Sequence, residues 1–203
     1  EARERLGETS ASSGTGVAIL TQSVGSPSYA GVIASFLQKY PAAKWVQHDP
    51  VSNSNASDGA LMAFSERVDT HFDFSRADIV LSIDSDAIQE GPAAVRYQSD
   101  LMSRRDLNKG SKTMSRIYAV ESAPTTLGVV ADHRLPVRAS DMFGLAKALS
   151  GRLGVAGAGN SALPAGIDEV WLTAVVKDLK NFTGRTLVVA GDHLPASVHA
   201  LVQ

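Results

Sequence analysis

The chain has 203 residues, of which 44% are hydrophobic, and this size is sufficient for one large hydrophobic core. Its 19 basic and 21 acidic side chains nearly balance without a basic stripe, which argues against nucleic-acid binding through phosphate neutralisation. The absence of cysteine excludes disulfides, thiolate nucleophiles and any iron–sulfur cluster held by this segment. No apolar run approaches the roughly 20 residues of a membrane span, so no direct membrane insertion is expected.

The N-terminal part of the sequence changes character at residue 16. Residues 1–15 are charged and then rich in serine and glycine, which predicts a flexible N-terminal segment. The continuous apolar run at 16–22 predicts a strand buried on both faces. A helix follows, because Ser26 can cap it, Pro27 suits its first position and Pro41 ends it.

The alternation of strand and helix continues to the end of the chain. Apolar runs predict further strands at 43–49, 77–84, 115–121 and 186–191, and amphipathic helices between and after them. The helix at 91–105 is predicted to turn Val95, Leu101 and Met102 inward. Because strands and helices alternate, we predict a single α/β domain over 16–203, a doubly wound, Rossmann-like parallel sheet of about five strands with helices on both faces.

Four loops are candidates for a functional site, because ligands of open α/β sheets bind beyond the carboxyl ends of the strands. They are residues 21–26, 84–91, 121–126 and 191–193. The first loop carries Ser26, which either caps the helix or helps to hold a phosphate on backbone amides. It lacks both the GxGxxG pattern and the Walker lysine.

The loop at 84–91 begins with Asp84-Ser85-Asp86, directly after a buried strand. Two carboxylates at this place could bind Mg²⁺ or Mn²⁺, as in the DxD sites of nucleotide-sugar transferases, or could be solvated loop residues. Asp132-His133 and Asp192-His193 are either acid–base pairs or exposed polar pairs. No GxSxG elbow is present, so a hydrolase triad has no support.

Residues 116–149 resemble a stretch of the molybdopterin oxidoreductases. In that family a strand ends in an acidic residue, a threonine and a short helix follow, and an Ala-Asp pair and a Leu-Pro strand precede a turn into the next helix. The matching positions here are Glu121, Thr125, Ala131-Asp132, Leu135-Pro136 and Asp141. Segments 77–92 and 186–201 are similar to other strands of the same domain, so the resemblance spans about residues 16–203.

Within this superfamily the chain is most similar to the fused molybdopterin-like and iron–sulfur subunit of alternative complex III. The sequences VESAPTTLGVVADHRLPVRASD (120–141) and GPAAVRYQSDLMSRR (91–105) carry this narrower likeness. It implies a peripheral subunit on the periplasmic side of the bacterial inner membrane, in a quinol-oxidising respiratory complex, with a targeting segment outside this chain. The implied partners are other domains of the same polypeptide, which hold the iron–sulfur clusters, and other subunits of the complex.

The sequence departs from the cofactor-binding members at two positions. Ala123 stands where those enzymes have an arginine near the guanine nucleotide, and their Gly-Thr turn is replaced at 138–141. Alanine cannot form the bidentate phosphate contacts of arginine, so we expect a structural and docking domain that has lost its cofactor and has no catalytic residue. The vestigial cofactor positions would be Ser26, Asp84, Ser85, Asp86, Glu121, Thr125 and Asp141.

Two alternatives remain open at this point. In the first, the domain retains part of a molybdopterin guanine dinucleotide site in an active oxidoreductase. In the second, the chain is a Mg²⁺-dependent nucleotide-binding enzyme that uses Asp84 and Asp86 as ligands.

Overall fold

The computed structural model describes residues 4, 7, 12–50, 54–109 and 113–203. The chain divides into two compact units, Glu1–Ser52 and Asn53–Gln203. Most of the predicted flexible segment 1–15 lies outside the described residues, and the single domain over 16–203 stays a prediction. None of the described helices is long and apolar enough to cross a membrane.

The first unit contains one strand–helix–strand sequence. Strand β1 (Ala18–Thr21) and strand β2 (Lys44–Gln47) pair in parallel, and helix α1 (Pro27–Lys39) connects them. The helix begins as predicted, because the Ser26 hydroxyl accepts a hydrogen bond from the Tyr29 amide at 3.3 Å.

The second unit is built on a four-stranded parallel sheet. Its strands are β3 (Ile79–Ile83), β4 (Arg116–Glu121), β5 (His133–Pro136) and β6 (Thr186–Ala190). Its helices are α2 (Ser54–Phe64), α3 (Ala94–Ser103), α4 (Thr126–Val129), α5 (Met142–Leu153), α6 (Glu169–Asn181) and α7 (Ala196–Val202). Short 3-10 helices lie at Phe74–Arg76, Leu107–Lys109 and Ala139–Asp141.

The strand order of this sheet is β5-β4-β3-β6, and every neighbouring pair is parallel. The chain therefore proceeds from β3 through β4 to β5 and then returns to the other side of β3 as β6. The direction of winding reverses between β3 and β6, and the crevice beyond the ends of such strands is where α/β proteins bind ligands.

Helices cover both faces of this sheet, as the alternating sequence predicts. On one face Leu81 and Ile83 pack in a buried cluster with residues of α5, α6 and α7. On the other face Val80 belongs to a second buried cluster, which also contains Tyr97 and Leu101 of α3. The near-continuous apolar sequence of β3 is explained by this burial, since all five of its residues are inaccessible to solvent.

Two details differ from the sequence-based prediction. The described residues form six strands, in one sheet of four and one of two, where a single sheet of about five was expected. The inward assignments of Val95 and Met102 are wrong, because these residues are 82% and 36% exposed, whereas that of Leu101 is confirmed. Helix α3 instead buries Ala94, Tyr97 and Leu101, whose spacing places them on one helical face. The Tyr97 hydroxyl also accepts a hydrogen bond from the Phe72 amide.

Candidate functional site

Three of the four predicted loops meet at the carboxyl ends of the sheet in the second unit. The Asp84 amide donates to the Val120 carbonyl at 2.6 Å, and the Gly191 amide donates to the Ile83 carbonyl at 3.0 Å. These bonds join the loops that follow β3, β4 and β6 around the switch point. The fourth loop, 21–26, belongs to the first unit, where Ser26 caps α1.

Asp84 is the central side chain of this loop cluster. It is 7% exposed, and its carboxylate accepts hydrogen bonds from the Ser122 amide at 2.7 Å and the Ser122 hydroxyl at 3.1 Å. Its backbone has a φ of +48°, a left-handed conformation that is uncommon outside glycine. The approach of Gly191 is also close, since a Cβ atom there would overlap the Asp84 carbonyl oxygen. The loops after β3 and β6 are therefore packed tightly together.

His193 pairs with Asp84 and not with its sequence neighbour. Its Nε2 atom lies 3.0 Å from Asp84 Oδ2, and the imidazole is 59% exposed. The carboxylate orients the imidazole ring. This Asp–His pair joins residues 109 positions apart, so sequence adjacency did not reveal it.

The two residues of the second predicted pair, Asp132 and His133, also have other partners. Asp132 receives two hydrogen bonds from Arg105, at 2.8 and 2.9 Å, and a third from the Ile117 amide. The Arg105 guanidinium holds the pKa of this carboxyl below its ordinary value, against the opposing effect of burial. His133 stacks on Tyr118 instead. The pair is therefore part of the packing around β4 and β5.

Asp86 and Ser85 serve the local structure of the loop. The Asp86 carboxylate accepts from the Thr126 amide at 2.8 Å and from the Leu127 amide at 2.9 Å, at the start of α4. A carboxylate at this place satisfies amides that have no partner within the helix. Ser85 is buried, and its carbonyl accepts a hydrogen bond from the Ser82 hydroxyl at 2.8 Å. The DxD sequence thus ties the loop after β3 to the helix after β4.

Glu121 is almost fully buried, with 1% exposure, and is held by three donors. Arg134 forms an ion pair with it, and Thr125 donates to it from its amide at 3.0 Å and from its hydroxyl at 2.7 Å. Burial opposes ionisation of this carboxyl, but the bonds from Arg134 and Thr125 outweigh burial and lower its pKa. A Cβ atom on Gly128 would overlap the carboxylate, so the short helix α4 approaches it closely.

The remaining predicted residues are positioned as follows. Thr125 caps α4, because its hydroxyl accepts from the Gly128 amide at 2.9 Å. Asp141 precedes α5 without a side-chain capping bond, and Ser140 donates to it at 3.3 Å. Across the described ranges, no hydrogen bond joins Asp141 to Asp84, Asp86 or Glu121. The structure therefore brings together the residues of the three loops of the second unit, whereas Ser26 belongs to the first unit and Asp141 has no described hydrogen bond to these carboxylates.

A cleft of about 420 Å³ opens at the switch point beyond β3 and β6. Of the predicted site residues, only Ser85 lines it. Glu90 and Asp192 also line it and come from the predicted loops 84–91 and 191–193. Asp69, His71, Phe72 and Tyr97 line it as well, and the sequence did not indicate these four as their neighbours. The residues around 69–72 reach the cleft from a segment without regular structure, and no spacing pattern connects them to β6.

The chemistry of this cleft does not suit a dinucleotide or a metal ion. Among the residues that the structure describes, the carboxylates of Asp69, Glu90 and Asp192 line it, and no lysine or arginine does. A pyrophosphate placed there would meet like charges without a compensating cation. In the part of the chain that the structure describes, no group of three or more histidine or acidic side chains is arranged to hold a metal ion. The described lining of this cleft therefore offers no cation to a nucleotide phosphate.

A comparison of the chain with known proteins finds no family model and no curated protein that matches it. The likeness to the molybdopterin oxidoreductases consequently remains a hypothesis from the residues quoted above. What the structure adds independently is the α/β architecture and the roles of the strand-end side chains.

Proposed function

We propose that the chain is a structural and partner-docking domain of a molybdopterin-oxidoreductase-like iron–sulfur subunit in a respiratory quinol-oxidising complex. In this proposal the domain has lost its cofactor and carries out no chemistry of its own. The observation that carries it is that the strand-end carboxylates have partners inside the fold. Asp84 and Asp86 bind groups of the loop and helix that follow β4, and Glu121 binds Thr125 of its own loop and Arg134 of β5.

These hydrogen bonds use the oxygens that a ligand would need. Asp86 and Glu121 each accept from a backbone amide, and both also hold a second donor, so binding a cation or a ribose would break bonds inside the fold. Breaking them costs free energy because buried donors would then lack partners. Side chains that are committed in this way support a role in maintaining the fold.

The cellular setting of the proposal follows from the resemblance alone. It places the domain on the periplasmic side of the bacterial inner membrane, beside other domains of the same polypeptide that hold the iron–sulfur clusters. Its partners would be those domains and the other subunits of the membrane complex. Electrons would pass through the neighbouring clusters, with this domain as part of their support.

A second candidate is a domain that still binds part of a guanine dinucleotide. The observation in its favour is the position of the 420 Å³ cleft at the topological switch point, where nucleotides bind in this class of fold. A variant of this candidate uses Mg²⁺ bound by Asp84 and Asp86. The acidic lining of the cleft and the hydrogen bonds of Asp86 both argue against it.

A thermal-shift titration with GDP, with and without Mg²⁺, separates these candidates. A ligand at 100 times its Kd stabilises a protein by about 2.7 kcal/mol, which for a domain of this size raises Tm on the order of 5–10 °C. We expect no shift up to millimolar GDP. A saturable rise would refute the docking proposal. A rise that requires Mg²⁺ and is lost in Asp86→Asn but kept in the control Asp141→Asn would establish the metal-dependent candidate.

A further inference from the structure

The switch-point cleft continues into a second cavity of the same unit. This cavity has a volume of about 450 Å³, lies beside β6 and is lined by residues of α2 and α7, among them His199. Both spaces are lined by Ala56, Asp69, His71 and Asp192, so they are contiguous. The cleft alone, at about 420 Å³, has the size of a small-molecule site.

The carboxylates of the cleft come from three separate segments of the chain. Asp192 follows β6, Glu90 lies in the loop after β3, and Asp69 precedes β3. All three residues are exposed, and in the part of the chain that the structure describes none of them forms an ion pair. No described lysine or arginine lines the cleft or the cavity beside it. The wall therefore carries negative charge that no described cation compensates.

Two of these carboxylates stand on backbone that is held in place. The side-chain amide of Asn55 in α2 donates to the Asp192 carbonyl at 3.2 Å, which ties the loop after β6 to a helix. The Glu90 amide donates to the Asp86 carbonyl at 2.9 Å, within the loop after β3. The positions of these charges are therefore set by the fold, as in a site formed before its ligand binds.

Ser85 adds an unpaired hydroxyl to the wall of the cleft. The residue is 6% exposed, and its carbonyl accepts a hydrogen bond from the Ser82 hydroxyl at 2.8 Å. Among the described residues, its own hydroxyl has no hydrogen-bond partner, and its oxygen is not one of the polar atoms that the fold closes off from solvent. Because buried hydroxyls in native proteins are normally paired, this one points to a hydrogen-bonding ligand in the cleft.

The remainder of the wall is mostly apolar. It includes the aromatic rings of Phe72 and Tyr97, whose centroids are 5.7 Å apart, and the side chains of Ala87, Pro92 and Ala93. Methylene groups can be buried against such a surface, and ammonium groups are attracted to aromatic faces. A strongly hydrated ion such as Mg²⁺ gains nothing from it. An alkyl chain that carries several ammonium groups matches both the apolar wall and the carboxylates.

We infer that the switch-point cleft binds a small aliphatic polyamine. Its ammonium groups pair with the carboxylates of Asp69, Glu90 and Asp192, and its methylene groups lie on the apolar wall. One of its N–H groups donates to the Ser85 hydroxyl. The inference goes beyond the proposed docking role and is independent of it, because a domain without a cofactor can hold an amine and a nucleotide-binding domain can lack one.

Calorimetric titration of the full chain with spermidine, putrescine and butylamine tests the inference. We expect saturable binding of spermidine at one site, and affinity that falls about two- to fivefold for each ammonium removed, the size expected of a solvent-exposed ion pair. The neutral analogue 1,4-butanediol should not bind. Mg²⁺ has the charge of putrescine without its methylene groups and should bind at least roughly threefold more weakly than putrescine.

Substitutions connect the binding to the named side chains. Ser85→Ala should weaken spermidine binding about threefold and leave Tm unchanged, because it removes a hydroxyl that has no described partner. Glu90→Gln and Asp192→Asn, at exposed positions, should each weaken binding about two- to fivefold, and they keep the test valid if the Ser85 variant does not fold. Asp141→Asn removes one charge outside the lining of the cleft and should bind spermidine as the wild type does.

Four results would overturn the inference. The first is no saturable spermidine binding up to about 10 mM, where a ligand of this size with several charged contacts should bind. The second is Mg²⁺ binding as tight as that of putrescine, which would show general attraction of cations. The third is unchanged spermidine affinity in Ser85→Ala, Glu90→Gln and Asp192→Asn. The fourth is tighter binding of acetyl-Lys-Ala-Lys-amide than of putrescine, which would assign the cleft to a lysine-bearing partner. The docking proposal is decided separately by the GDP titration.

Discussion

Replacement of Glu121 by glutamine tests whether the strand-end carboxylates support the fold. Glu121 is buried and accepts hydrogen bonds from Arg134 and from the amide and hydroxyl of Thr125. Glutamine keeps the size of the side chain but exchanges one acceptor oxygen for a donor, so a donor must face either Arg134 or Thr125. Charge-assisted hydrogen bonds contribute about 1.5–3 kcal/mol, and breaking a buried pair costs about 3–5 kcal/mol. Arg134 is partly exposed and can turn to water, so we expect a loss of about 2–4 kcal/mol.

Urea unfolding at several pH values measures this loss. The pKa of Glu121 lies below its ordinary value of 4.5, so its stabilisation is present above pH 4.5 and is lost as the pH falls through the lowered folded value. The wild type and Glu121→Gln should therefore converge in acid. Asp141→Asn is the matched control, with an expected change within about 0.5 kcal/mol. A Glu121→Gln variant as stable as this control at pH 7 would contradict the structural role.

Three further outcomes follow from the same contacts. Asp86→Ala should lower the free energy of unfolding, measured by urea unfolding, by about 1–2 kcal/mol with or without Mg²⁺, because it removes the acceptor for two amides of α4. A loss of stability seen only with Mg²⁺ would instead indicate that Asp86 is a metal ligand. Gly191→Ala should destabilise by about 1–3 kcal/mol through overlap with the Asp84 carbonyl, whereas the control Gly31→Ala, with open space, should be neutral or stabilising. The pKa of His199 lies below its ordinary 6.5, so near that pH the unfolded chain binds more protons than the folded chain, and the free energy of unfolding should fall as the pH is lowered through 6.5. His199→Phe should reduce this dependence. An unchanged pH profile in that variant would contradict the burial of a neutral ring.

The fold was predictable to the extent that burial leaves a pattern in the sequence. Strand β3 is buried on both faces, and its apolar run shows this directly. The division into sheets of four and two strands was not predictable, because sheet membership depends on pairings between distant segments that local sequence does not record. The orientation of α3 failed for a related reason. Val95 and Leu101 are both apolar, and the packing of Tyr97 and Leu101 against the core, which local sequence does not record, shows which helical face is buried.

The site was predictable in place but not in its contacts. Parallel strands end at one edge of a sheet, so the loops after β3, β4 and β6 had to meet there. Which side chains would pair was a matter of tertiary geometry. Asp84 contacts His193, which lies 109 residues away in the sequence, and Asp86 accepts a hydrogen bond from an amide of α4, the helix that follows β4. The segment 69–72 and His199 reach their cavity through packing, and neither carries a motif that would have indicated a cleft.

The strand-end carboxylates and the cavity beside β6 give independent information on function, because they concern different atoms. The carboxylates of Asp86 and Glu121 have partners within the fold, whereas no partner of His199 Nε2 lies among the described residues. The acidic lining favours a cation there and opposes a phosphate. GDP binding would therefore refute the docking proposal.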